Sequence, residues 1–188
     1  MNERNTEREF EAEALPHIGE LYRTAVRLTL NRTEAEDLVQ ETFTQAWMSF
    51  AHYEPGTNCR AWLFKIMMNK LEHQRRRRRA QWKRAGGDDE LIAATVAYEP
   101  PVAESLRDEE VLAALDRVPE RFREVVLLAD VEEFSYKEVA RILGVPIGTV
   151  MSRLSRGRKL LRGMLTALAA SYGIKKASGI GESSRAVA

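Results

Sequence analysis

The stretch SYKEVARILGVPIGTVMSRLSRGRK, Ser135 to Lys159, holds two amphipathic runs separated by Gly144 and Pro146. The first run is short, and Ser135 with Glu138 has the form of a capping box at its start. The second begins near Ile147. Stepped at 100° per residue, it gathers Ile147, Val150, Leu154, Leu161 and Leu165 on one arc, with Gly157 in the middle of that arc. The opposite arc collects Thr149, Ser152, Ser155, Arg156 and Lys159, while Met151 and Arg153 sit at the borders. A helix, a turn and a second helix of this kind make a helix-turn-helix, whose second helix enters the DNA major groove. Donors near its N-terminal end reach base edges, a role that fits Thr149, Ser152 and Arg156, and basic residues further on, such as Lys159, hold phosphates. A plain helical hairpin shares the layout, so the pattern alone leaves the class of protein open.

Charge along the chain is segregated. The 188 residues sum to a formal net charge of only +1, yet residues 1–59 carry eleven acids against five bases, and 60–84 carry ten bases against one acid. Residues 86–138 reverse to fifteen acids against five bases, and 141–165 have six bases and no acid. Two positive blocks on an otherwise acidic chain suggest two contacts with a polyanion, separated by surfaces that repel it. No run approaches the ~18 apolar residues of a membrane span. The charged N-terminus lacks the apolar core of a secretory signal, which predicts a cytoplasmic protein.

Helical spacing recurs outward from the opening stretch. Ile18, Leu21, Tyr22, Ala25, Leu28 and Leu30 mark one helix, with Pro16 where a first turn tolerates it. TEAE, at Thr33 to Glu36, reads as a capping box that opens a second helix. HYEPGTN is a loop, and a third helix starts near Thr57 or Asn58. Residues 86–105 hold paired glycines, paired prolines and an acidic bias without a period, which predicts a linker able to reach about 65 Å when extended. No β-branched alternation bounded by hairpin signals occurs. The expected fold is all-α, with a three-helix bundle at 15–85 and a four-helix unit at 106–170 joined by a flexible linker. An N-terminal extension (1–14) and a disordered tail (171–188) flank them.

The second helix sets Asp37, Gln40, Glu41 and Thr44 on one side and Ala35, Leu38, Thr42 and Ala46 on the other. An acidic, amide-bearing stripe suits a basic protein partner better than DNA; a merely solvated face has the same pattern. The third helix interleaves Trp62, Phe64 and Trp82 with Arg60, Lys65, Lys70 and the run Arg75 to Arg79. Aromatics beside bases suit a single strand, whose unstacked bases need new stacking partners. Trp62, Leu63 and Phe64 also have core spacing, whereas Asn69 is an amide that must face a polar partner or water.

The phrases AEDLVQETFTQAW, GTNCRAWLFKIMMN and PERFREVVLLADVEEFSYKEVARILGVPIGTVMSRLSRGR, in this order, resemble bacterial RNA polymerase sigma factors of the extracytoplasmic-function (ECF) type. IGTVMSRLSRGR further resembles the branch held by small zinc-binding anti-sigma proteins. The resemblance implies sigma region 2 in the first unit and region 4 in the second. It implies that Asp37, Gln40, Glu41 and Thr44 bind core polymerase. It also implies that Gly56, Thr57, Asn58, Lys65 and Asn69 capture bases of the promoter −10 element, with Arg75 and Arg76 on its backbone. Thr149, Met151, Ser152, Arg153, Ser155, Arg156 and Lys159 are then the readers of the −35 duplex. Many relatives carry a basic residue at the position of Met151 and an aromatic or histidine at that of Ser155; a shorter, uncharged side chain at both places removes reach and hydrogen bonds from the −35 contact. The implied partners are core RNA polymerase, promoter DNA and an anti-sigma factor.

A rival within transcription is a dimeric helix-turn-helix regulator outside polymerase, which would leave the Asp37 stripe unexplained. No enzyme is expected, and no cofactor. His17, His52 and His73 lack metal-ligand spacing, and no nucleophile motif or phosphate-cradling glycine loop is present. The lone Cys59 excludes an internal disulfide and reads as a small, partly buried thiol.

Overall fold

A computed structural model describes residues 3–85 and 108–171, with side chains over 6–85 and 111–166. All regular structure among them is helical. Helix α1 (Glu3–Ala14) leads through a 3-10 turn at Leu15–His17 into α2 (Ile18–Thr29), followed by α3 (Arg32–Ser49) and α4 (Cys59–Arg84). The second half comprises α5 (Asp108–Asp116), α6 (Glu120–Val126), α7 (Tyr136–Leu143) and α8 (Ile147–Ser171). The expected linker, and the tail beyond Ser171, lie outside the described residues.

In the first half, α2 stops because Leu30 takes the left-handed conformation (φ 56°) and returns its N–H to the Val26 carbonyl. Asn31 is extended, and its side chain accepts from the Glu34 N–H at 3.1 Å. That makes Asn31 the cap of α3 and puts Thr33 inside the first turn, so the TEAE capping box expected from sequence does not form. An amide one residue before the helix satisfies the orphan donor first. Asn58 caps α4 in the same way, accepting from Ala61 N–H at 3.0 Å. The faces of α2, α3 and α4 bury Leu21, Ala25, Ala35, Leu38, Leu63, Phe64 and Met67 completely.

The N-terminal extension is a fourth helix of this bundle. Phe10 packs edge-on against Trp47 (5.2 Å between centroids) and Phe50 (5.1 Å), and Ala14 is fully buried one turn later. Among the described side chains of α1, 6–14, these two positions alone are in the core, too few to give a readable period.

In the second half, α6 passes into a π-helical turn, Leu127–Val131, closed by Glu132 N–H donating to the Leu127 carbonyl at 2.8 Å. The capping box at α7 is complete: Glu138 N–H donates to Ser135 Oγ, and the Glu138 carboxylate accepts from Ser135 N–H at 2.9 Å. Gly144 ends α7 at φ 64°, where Val145 N–H reaches back to the Ala140 carbonyl. On α8, Val150 and Leu154 are buried as the arc requires, but Ile147 is 44% exposed. It is the first residue of α8, and burial begins one turn later. Gly157 marks the closest approach of α8 to α6: a Cβ there would stand 2.7 Å from Val126 Cγ2 and 3.2 Å from the Phe122 carbonyl.

The two halves share one core. Phe64 of α4 meets Phe134, which precedes α7, edge-to-face at 5.0 Å between centroids. Two helical units were expected from sequence; their direct contact was not.

Candidate nucleic-acid and protein interfaces

Three faces carry the residues singled out from sequence. On α3, Asp37, Gln40, Glu41 and Thr44 are all exposed, while Ala35, Leu38, Thr42 and Ala46 are buried. The stripe borders an open groove of about 240 Å³ whose far wall is α4. Arg78 of α4 pairs with Glu34 at 2.9 Å, and Gln74 donates to Glu41 at 3.3 Å. Gln74 and Arg78 were not anticipated at this edge. Their i, i+4 spacing was visible, but only the packing of α3 on α4 shows which way they face. Met48, 71% exposed, continues the stripe one turn past Thr44.

On α4 and its loop, Gly56 adopts φ 83°, Tyr53 OH donates to the Thr57 carbonyl at 2.8 Å, and Thr57 Oγ1 donates to the Glu54 carbonyl at 2.8 Å. Gly56, Thr57, Asn58, Lys65 and Asn69 are exposed. Leu63 and Phe64 belong to the core and offer no free stacking face, and Trp62 is half-buried against Phe50 and Tyr53. The five arginines diverge. Arg76 bonds Glu72 on its own helix at 2.8 Å, Arg78 turns to α3, and Arg75 turns to α6, where it pairs with Glu124. Arg75, expected on a DNA backbone, is thus engaged within the protein.

Other residues expected to touch DNA are also engaged. The Asn58 amide donates to Glu138 Oε1 at 2.8 Å, and Lys65 Nζ donates to the Arg141 carbonyl at 3.1 Å. Between them lies Arg60, bonded to Glu20 at 2.6 Å, to the Glu132 carbonyl at 2.8 Å and to the Glu132 carboxylate, with its guanidinium 4.3 Å from the Phe134 ring centroid. Glu132, only 8% exposed, also accepts from Thr24 Oγ1. Arg27 and Asp116 close the seam between α2 and α5 at 2.8 Å. The bond from Arg60 holds the Glu20 carboxyl below its ordinary range, and burial pushes Glu124 and Asp116 up.

On α8, Met151, Ser152, Ser155, Arg156 and Lys159 are exposed, and Thr149 and Arg153 are half-buried. The helix is fixed from below by Val150, Leu154 and Gly157, and from the side by a two-bond fork from Arg158 to Asp130 at 2.6 and 3.0 Å. Cys59 is buried, and its thiol is pushed up to about 11, first by desolvation and then by the charge of Glu13. Among the described residues no group of His, Cys, Asp and Glu is placed to hold a metal, and no helix is long and apolar enough to cross a membrane.

The family model for Sigma-70 region 2 matches residues 15–81, and that for Sigma-70 region 4 matches 108–161. The chain is 36% identical over 151 residues to the ECF RNA polymerase sigma factor EcfG of Rhodopseudomonas palustris, covering 80% of this chain and 82% of that protein. This chain is an ECF RNA polymerase sigma factor. It is also 41% identical over 151 residues to the ECF sigma factor SigE of Mycolicibacterium smegmatis, a match that takes 79% of this chain but spans only 58% of that longer protein. Among solved structures, the sigma factor RpoE of Bartonella quintana, in complex with the anti-sigma factor NepR, superposes with a TM-score of 0.71 at 34% identity, covering 84% of this chain and 97% of that one. Within the sigma factor, α1 precedes the matched region 2, and the seam centred on Arg60 and Glu132 joins region 2 to region 4.

Proposed function

We propose that this sigma factor directs core RNA polymerase to promoters through three surfaces: the α3 stripe for polymerase, the loop and face of α4 for the −10 strand, and the outer face of α8 for the −35 duplex. The single observation that supports this reading best is α8. Its outward residues Met151, Ser152, Ser155, Arg156 and Lys159 are exposed, while Val150, Leu154 and a glycine that admits no side chain bind its inner face to the fold. A reading helix needs such a division, since donors that reach base edges must be free and the helix carrying them must not shift. Polymerase supplies the tether that makes the second DNA contact effectively intramolecular. Holding −10 bases better when unpaired than when paired shifts the duplex toward opening by that difference in affinity. No bond is made or broken, and the setting is the cytoplasm, where polymerase works.

By similarity to the NepR-bound relative, we infer an anti-sigma partner. The narrower expectation of a zinc-binding one rests on the phrase at 147–158 alone. A dimeric regulator outside polymerase is disfavoured because nothing in that role uses the α3 stripe.

Run-off transcription with purified core polymerase tests the reading. Template-specific transcripts should require this protein, and Arg156→Ala should weaken promoter binding of the holoenzyme by roughly 1–3 kcal/mol. Active core that gives no specific transcript with the protein present would overturn it.

A further inference from the structure

The loop ahead of α4 that is to capture −10 bases has no buried side chain of its own: Glu54, Pro55, Gly56, Thr57 and Asn58 are all exposed. Burial therefore cannot fix its shape, and hydrogen bonds must. Thr57 N–H and Thr57 Oγ1 both donate to the Glu54 carbonyl, at 3.2 and 2.8 Å, around Pro55 and the left-handed Gly56. These bonds close a turn without fastening it to the fold. At its end Asn58 fastens it by capping α4 and by reaching Glu138. From beneath it is held by Tyr53, which is 7% exposed and whose hydroxyl donates to the Thr57 carbonyl at 2.8 Å. We propose that Tyr53 is a positioning residue for −10 recognition, its hydroxyl presenting Gly56, Thr57 and Asn58 to the strand in a ready-made shape, and that α1 acts through it by way of Phe10. This rests on the reading of the loop as part of the −10 face.

A phenylalanine would fill this part of the core as well as tyrosine does. It is the hydroxyl that reaches the loop, and a bond of that length sets the direction of the carbonyl it meets. The ring that carries the hydroxyl is itself fixed. It stacks on Phe50 with 5.5 Å between centroids and 15° between planes, and it lies 5.0 Å from the ring of Trp62. Phe50 in turn meets Phe10 edge-on at 5.1 Å. Phe10 belongs to α1, which precedes the residues matched by region 2, so a helix outside the matched domain stands two ring contacts from the loop. Stacked and edge-on contacts each favour a particular orientation of the ring, so the chain of rings transmits placement as well as volume. Glu13 of α1 also raises the Cys59 thiol by its charge, which puts the same helix beside the first turn of α4. A loop held before the strand arrives loses less conformational freedom on binding than a loose one, and the saving appears as affinity for the bases it contacts. A strand held by its phosphates alone gains nothing from it.

The test uses holoenzyme assembled from core polymerase and the full-length chain. From a pool of random-sequence single-stranded DNA, wild-type holoenzyme should enrich a motif that core alone does not. Anisotropy then gives the affinity for a labelled enriched strand and for an abasic strand of equal length, which offers phosphates without bases. Tyr53→Phe should weaken binding of the enriched strand by roughly three- to tenfold, the worth of one hydrogen bond, and of the abasic strand by less than about twofold. Phe10→Ala should do the same. The double variant should lose no more than the weaker-binding single one, since both act through one hydroxyl. Circular dichroism and titration with core accompany each variant, and Phe10→Leu replaces Phe10→Ala if the latter is unfolded. A merely structural role predicts equal losses on the two strands, together with loss of stability or of core binding. That result, or no loss for Tyr53→Phe, would overturn the proposal, and additive losses in the double variant would overturn the part given to α1. Asn69→Ala, at an exposed position of α4, then locates the fault. If it weakens binding of the enriched strand where Tyr53→Phe does not, the −10 assignment stands and only the positioning is wrong; if neither does, the −10 assignment falls as well.

Discussion

Gly157 shows what a single atom decides in this fold. An alanine there gains up to about 1 kcal/mol of helix propensity. Against that, its Cβ would press on Val126 Cγ2 at 2.7 Å and on the Phe122 backbone oxygen at 3.2 Å, of which only the first can yield. Overpacking costs about 1–3 kcal/mol, so Gly157→Ala should lower stability by about 1 kcal/mol in urea unfolding and loosen the −35 face with it. The carboxylates offer a second check. Glu138 is lowered by its bonds from Ser135, and Glu124 is raised by burial. Glu138 therefore adds stability that is present above its unfolded pKa and lost as pH falls through the lower folded value. Glu124 has the opposite sign: its ionisation takes stability away as pH rises through its raised folded value. Carboxyl NMR titration should find Glu138 below and Glu124 above the ordinary glutamate range. The glycine was legible in the sequence as an apolar-arc residue without a side chain. The burial of Glu124 and Glu132 was not, because their partners lie 49, 72 and 108 residues away.

At the scale of elements, local signals were read well where two of them agreed. Ser135 with Glu138, followed by Gly144, fixed both ends of α7, and the wheel of α3 separated Asp37, Gln40, Glu41 and Thr44 from its buried side. They failed where one signal competed with a nearby alternative, as when Asn31 took the cap that Thr33 had suggested. They failed also where burial was sparse, as in α1. Phe10 makes a direct test of that helix. Phe10→Ala removes a buried ring, a change that costs about 3–5 kcal/mol when the site cannot collapse. Hydrogen exchange should then show protection lost over residues 3–14 while α3 and α4 keep theirs. Retained protection would mean that α1 is held by something other than its aromatic contact. Ser135→Ala should cost about 1 kcal/mol, read in the same way as earlier exchange along α7.

For the molecule as a whole, periodicity could indicate two helical units but not their mutual placement, since a pattern along one helix carries no record of a neighbour beyond a linker. The continuous core and the ion pairs across it give a thermal expectation. Calorimetry at low salt should show one transition for the wild type, because opening one region exposes the other's buried surface. Glu132→Gln should split or broaden it. Two separate wild-type transitions would show that the regions fold independently.

The divergence of the arginines on α4 has a consequence in counterions. A cation already neutralised by a carboxylate has no condensed ion to liberate from a nucleic acid. With Arg60 and Arg75 both so engaged, the chain should bind single strands with a shallow dependence on salt. Arg60 keeps its bond to Glu20 whatever becomes of Glu132, so freeing Arg75 of its carboxylate partners should steepen the slope of log affinity against log salt by roughly 0.7, for one phosphate newly matched.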